Sequence, residues 1–170
     1  ACRSAAQEGK MRRVLVSGLF ASGLAMLLPG VDLHATGDLS RQAPIEVTVE
    51  LGKPGQHVFT PNRLTFETGK LYKLVLKNPS SDPHYFTSHG FTQLIYTRKV
   101  QVVQQRDGKT VTLAEFKGAI REIEVYPGEV AEWWFVPVAT GRIDDLRCGI
   151  VDKGGKSHAD HGMVGEIVIE

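Results

Sequence analysis

The residues with chemistry in their types and spacing lie near the C-terminus, in the run Cys148-Gly-Ile-Val-Asp-Lys-Gly-Gly-Lys-Ser-His158-Ala-Asp-His161-Gly-Met163-Val-Gly165. Of the three methionines, Met11 and Met26 fall in an apolar N-terminal stretch. That leaves one methionine and one cysteine for the folded part, and both flank this loop. Thiolate, imidazole and thioether are soft or borderline donors, and together they suit copper that alternates between its two oxidation states. A trigonal set of two imidazoles and a thiolate, with a weak axial thioether, needs one more histidine. Asn78-Pro-Ser-Ser-Asp-Pro83-His84 offers it, far upstream of Cys148.

Such distant residues meet only if the chain folds back on itself repeatedly, and from residue 45 onward the pattern is that of strands. Ile45, Val47, Val49 and Leu51 alternate with Glu46, Thr48 and Glu50, the period-2 pattern of a half-buried strand. Gly52-Lys-Pro-Gly55 is a turn, followed by short strands near His57–Thr60 and Arg63–Glu67. Leu71–Lys77 alternates again and ends at the Asn78–Pro83 run. Further strands are expected at His84–Ser88, Leu94–Gln105, Val111–Phe116, Ile120–Tyr126, Val130–Val138 and Met163–Glu170. Asp107-Gly108 and Pro127-Gly128 act as turns. No helical period stands out in this region, so the expected fold class is all-β, a sandwich or barrel. A sandwich gathers remote loops at one end of its sheets, where His84 and the C-terminal loop could meet.

Here the chain resembles the cupredoxins, in particular their plastocyanin-like branch, over residues 45–170. His158-Ala-Asp-His-Gly-Met163-Val-Gly165 is similar to the family's His-x4-Met-x-Gly ending. Asn78 followed by Pro83-His84 is similar to the segment that bears its N-terminal histidine ligand. The resemblance implies an eight-stranded Greek-key β-sandwich with one copper ion near one end under a lid of loops. It assigns His84, Cys148 and His158 as equatorial ligands and Met163 as the axial one. The chain departs from the family in two places. Nine residues separate Cys148 from His158, more than is usual, and the polar, Gly-rich Asp152–Ser157 reads as an excursion on the surface. Tyr85 follows His84 where asparagine is common.

His161 is the competing imidazole in the loop, but its spacing to Met163 is only two positions against five for His158. His57 and His89 read as exposed loop residues. Adjacent Trp133 and Trp134 must point to opposite faces of a strand, one into the core and one onto the surface. Asp144 and Asp145 read as a solvated turn, without the glycine and spacing of a calcium loop.

The whole chain of 170 residues, with 42% hydrophobic and 23% charged residues, has room for one domain of ordinary globular composition. Its formal charge of +1 gives no reason to expect nucleic acid as a partner. Met11-Arg12-Arg13 followed by apolar Val14–Val31 reads as an export signal over residues 11–35, or as an anchor if it is retained. Residues 1–10 read as upstream of the start, and 36–44 as a linker to the domain at 45–170. Export would place the domain in a periplasmic or other extracytoplasmic space, with membrane attachment only through a retained N-terminal segment. Cys2 precedes the start, so Cys148 has no partner there for a disulfide, which fits a metal-held thiolate. The expected function is one-electron transfer to a transiently docked redox partner protein, not enzymatic catalysis. The alternative is copper tolerance, sequestering copper or passing it to a copper-trafficking protein through the same site.

Overall fold

Alternation of apolar and polar residues becomes strand almost throughout residues 42–170, the part of the chain that the structure, a computed structural model, describes. The expected leader at 11–35, residues 1–10 and most of the linker at 36–44 lie outside the described residues. One sheet holds six strands in the order β2 (Gln56–Thr60), β1 (Ile45–Lys53), β4 (Tyr72–Lys77), β9 (Val130–Pro137), β6 (Ile95–Arg106) and β7 (Lys109–Phe116). The other holds five, in the order β3 (Arg63–Phe66), β11 (Val164–Ile169), β10 (Gly141–Arg147), β5 (His84–Thr87) and β8 (Glu122–Val125). Pairing is antiparallel except β1 with β4 and β3 with β11. These parallel pairs arise because the chain crosses between sheets before returning beside an earlier strand.

The inward residues of both sheets make one core. Val49, Leu51, Leu74, Leu76, Trp133 and Phe135 come from the first sheet, and Phe66, Phe86, Leu146 and Ile167 from the second. Trp133 is buried and donates its indole N–H to Thr97 Oγ1 at 3.1 Å, whereas Trp134 lies on the outer face beneath Lys99. The two tryptophans therefore divide between faces as the strand period requires.

The sandwich is all-β as expected, with eleven strands where the family resemblance implies eight. The first sheet is edged by β2 and β7. β1 passes into β2 through a turn at Pro54-Gly55, and β6 runs on into β7 through a tight turn with φ of 52° at Asp107 and 73° at Gly108. Two elements depart from the sequence expectation. A short helix, α1 (His89–Gln93), starts at Ser88, whose side chain accepts the Phe91 N–H. Five residues are too few to display a helical period. The second is β10, where Asp144 and Asp145 sit within a strand instead of a solvated turn. A register shift between Ile143 and Leu146 turns both apolar side chains inward although they are three positions apart, which hides the period of 2. Asp145 faces α1, accepting the Gly90 N–H at 2.8 Å and the Ser88 hydroxyl.

Candidate metal centre

His84 is the first residue of β5, and its ring is fixed by the loop before it. Asn78, itself buried, donates through Nδ2 to the carbonyls of Val125 and Asp82, at 2.7 and 2.8 Å, tying the loop to the end of β8. Asn78 Oδ1 accepts from the Ser80 N–H and hydroxyl. The single Ser80 hydroxyl proton has two carbonyl-type acceptors in reach, Asn78 Oδ1 and the Asp82 carbonyl, so Ser80 Oγ is left to accept from His84 Nε2–H across 2.8 Å. This fixes the tautomer and leaves the Nδ1 lone pair of His84 pointing away from the loop. The end of β1 passes close behind the ring. A Cβ on Gly52 would stand 2.3 Å from His84 Nε2, and the φ of +77° there also favours glycine.

The other candidates come from one hairpin. β10 and β11 are antiparallel neighbours, with Arg147 opposite Val164, so Cys148 and Met163 sit at the two ends of the connecting loop. The Cys148 N–H donates to the Met163 carbonyl at 3.2 Å. Within the loop the His158 N–H reaches the Ile150 carbonyl, the Ala159 N–H the Cys148 carbonyl, and the Met163 N–H the His158 carbonyl. The last of these closes a turn across the five-position spacing between His158 and Met163. Gly165 lets β11 approach closely, since a Cβ there would lie 2.6 Å from the Asn62 carbonyl oxygen.

The long Cys148–His158 connection is more ordered than its composition suggests. Val151 pairs with Ser157, and the Asp152 carboxylate accepts the N–H groups of Gly154 and Lys156, folding the polar residues into a small closed turn. His161 belongs to this turn. It is exposed, and its Nε2 lies 2.7 Å from Asp152 Oδ2.

The interior end of the loop is where donors converge. His84 Nδ1 lies 3.1 Å from His158 Nδ1, and Cys148 Sγ lies 3.9 and 3.4 Å from those two nitrogens. A triangle with these sides has a circumradius of about 2 Å, so one point lies about that far from all three atoms. Bonds from a borderline ion run ~2.0–2.1 Å to imidazole and ~2.3 Å to thiolate, so the three side chains fit a single ion. All three are buried, as is Met163 at the mouth of the same hairpin. Burial, with His158 and His57 nearby, pushes His84 down to about 4, and burial lowers His158 as well, so both rings are neutral donors near pH 7. Burial raises the Cys148 thiol, although the Ile150 and Tyr85 N–H groups favour its thiolate. The Tyr85 N–H reaches Sγ at 3.3 Å, so the residue after His84 supports the sulfur through its backbone whatever its side chain.

His57 is placed differently from the sequence expectation. It lies on β2, half-buried, on the same face as buried Phe59, and its ring stacks on that of His158 with centroids 3.8 Å apart. Its two-residue spacing from Phe59 was the available signal, masked by the neighbouring turn. Ser80, Gly52 and the hydrogen-bonding role of Asn78 also had no distinctive sequence pattern. His89 is exposed on α1, away from this group.

Comparison with solved structures places this architecture. Over 75% of the chain, the structure superposes on part of the multicopper oxidase from Campylobacter jejuni with a TM-score of 0.52 at 18% identity. The fold is that of a cupredoxin. The chain spans 30% of the length of that oxidase. Auracyanin from Roseiflexus castenholzii is matched over 76% of this chain and 99% of its own, with 14% identity and a TM-score of 0.44. Auracyanin A from Chloroflexus aurantiacus, a "blue" copper protein, is matched over 75% and 100%, with 16% identity and a TM-score of 0.43. No family model and no curated relative matches the sequence. Among the described residues of this cupredoxin fold, no helix is long and apolar enough to cross a membrane.

Proposed function

We propose that the domain holds one copper ion through His84, Cys148 and His158, with Met163 as a weaker fourth donor, and that it carries single electrons. The observation that carries this reading is the convergence of two neutral imidazoles and one sulfur on a single buried point. Copper supplies one-electron chemistry at such a donor set, because a thiolate and two imidazoles accommodate both oxidation states. The chain's own residues supply the rest. Ser80 and Asn78 hold the His84 ring, the β10–β11 hairpin sets Cys148 against Met163, and the Tyr85 N–H supports the sulfur. Binding releases the Cys148 thiol proton. A donor set held by these hydrogen bonds would rearrange little when copper changes oxidation state, which would favour rapid electron exchange with a transiently docked redox partner protein.

The role we propose is that of an electron carrier. Among the described residues the one cluster of three metal-binding side chains is His57, His84 and His158, which adjoins this same site. The export signal read in the sequence at 11–35 would place the carrier in a periplasmic or other extracytoplasmic space, free if the segment is cleaved and anchored if it is retained. Near-neutral charge fits a protein partner better than nucleic acid.

One observation favours a second role, copper sequestration or delivery: the partly open cleft and extra imidazole beside His158. Voltammetry separates the roles. A carrier cycles reversibly between Cu(II) and Cu(I) with its copper retained, whereas loss of the ion on reduction would favour the handling role.

A further inference from the structure

Outside the His84–Cys148–His158 triangle lies an imidazole that the electron-carrier account does not use. His57 Nδ1 is buried and has no hydrogen-bond partner among the described residues. An unsatisfied buried nitrogen is costly unless it has another role. One donor atom of His57 lies within 4.8 Å of one donor atom each on His84 and His158. Yet the His57 and His158 rings are stacked, with planes only 20° apart. Their in-plane lone pairs therefore run side by side and cannot meet on one ion in this pose. His57 is close enough to exchange an ion with the centre but is not oriented to share one.

The surroundings say from which side an ion would come. A cleft of about 440 Å³ opens to solvent over His57 and His158, with the carboxylates of Asp82 and Asp152 on its walls against the single cation of Lys153. His84 and Cys148 lie behind it, fully buried. A cation entering this cleft reaches the rings of His57 and His158, which line it, before His84 and Cys148, which do not, and the His57 ring must turn out of its stack to bring the shielded Nδ1 to the ion.

We propose that His57 is the capture ligand of the centre. It binds an incoming copper ion at the floor of the cleft, passes it to His158, His84 and Cys148, and then returns to its stack on His158 without a bond to the metal. The inference rests on the copper reading above and adds the route by which the site fills. A ligand of this kind lowers the barrier in both directions and leaves the end states alone, so its loss slows loading and release by one factor.

The test mixes metal-free protein with Cu(II) in a stopped-flow instrument and follows the growth of the thiolate charge-transfer band. Transfer of the ion to an excess of chelator measures release. His57→Phe keeps a ring over His158 and removes both nitrogens, and His57→Gln serves if the phenyl ring disturbs the fold. The expected result is that loading and extraction both slow by about ten-fold or more, in the range by which a charged, shaped cleft raises on-rates. The final band and the affinity stay unchanged. Loading at the wild-type rate overturns the proposal. So does weakened affinity at an unchanged loading rate, which would make His57 a packing residue only. A shifted band at an unchanged rate overturns it as well, because His57 would then bind the metal at rest. A wild type that develops no band fails differently, by removing the copper reading itself.

Discussion

At the scale of single residues, His84 shows how little of a metal site is the ligand. Its ring is useful only because Ser80 accepts from Nε2, Asn78 holds Ser80, and Gly52 leaves room behind. Groups that orient a ligand in this way typically contribute ~10–100-fold in metal affinity. Ser80→Ala is accordingly expected to weaken copper binding by about that factor, measured by competition with a chelator, while the far-ultraviolet spectrum of the fold stays the same. The buried histidines also tie stability to pH. The folded value of His84, about 4, lies below its ordinary 6.5, so between these values the unfolded chain binds more protons. Stability is fully present above pH 6.5 and is lost as the pH falls toward 4. His158 is lowered too and acts in the same direction. The denaturant midpoint of the metal-free protein should therefore drop between pH 7 and pH 4.5, and His84→Gln should flatten that fall. An equal midpoint at both pH values in the wild type would contradict the buried, neutral state of these rings.

At the scale of elements, the β10–β11 hairpin decides which histidine joins the centre. His158 sits in the turn closed by the bond from the Met163 N–H to its carbonyl, with its ring buried beside His84 and Cys148, while His161 is held outward against Asp152. His158→Ala should abolish the strong visible band and most Cu(II) affinity, and His161→Ala should keep both. Colour that survives in the first and disappears in the second would reverse the assignment. The His158–Met163 spacing was readable because a closed turn has a fixed length. Most strands were readable too, since Val49, Leu51, Leu74 and Leu76 face the core on a period of 2. β10 was not, because its bulge places Ile143 and Leu146 on one face and makes Asp144-Asp145 look like a turn. Nor was the order in Asp152–Ser157, which comes from one carboxylate closing the turn and not from composition. His57 shows the limit most clearly. Its partner in the stack is about a hundred positions away, and no local pattern encodes a contact made only when the two sheets close.

At the scale of the whole molecule, the sandwich brings His84 from one loop and Cys148, His158 and Met163 from another to the same end of the core. An ion bound by the folded centre and poorly by the unfolded chain stabilises the fold by mass action, by about 2.7 kcal/mol when free copper is at 100 times its dissociation constant. Copper should therefore raise the melting temperature of the wild type, and do so far less in Cys148→Ser, as a thermal scan with and without metal would show. The central claim, that one copper ion is held through the Cys148 thiolate, has a more direct test. Metal-free protein is titrated with Cu(II) while visible absorption and electron paramagnetic resonance are recorded. An intense thiolate charge-transfer band that saturates at one copper per chain, and that Cys148→Ser removes, is the result the account predicts. A wild type that binds one copper per chain and stays colourless would contradict it.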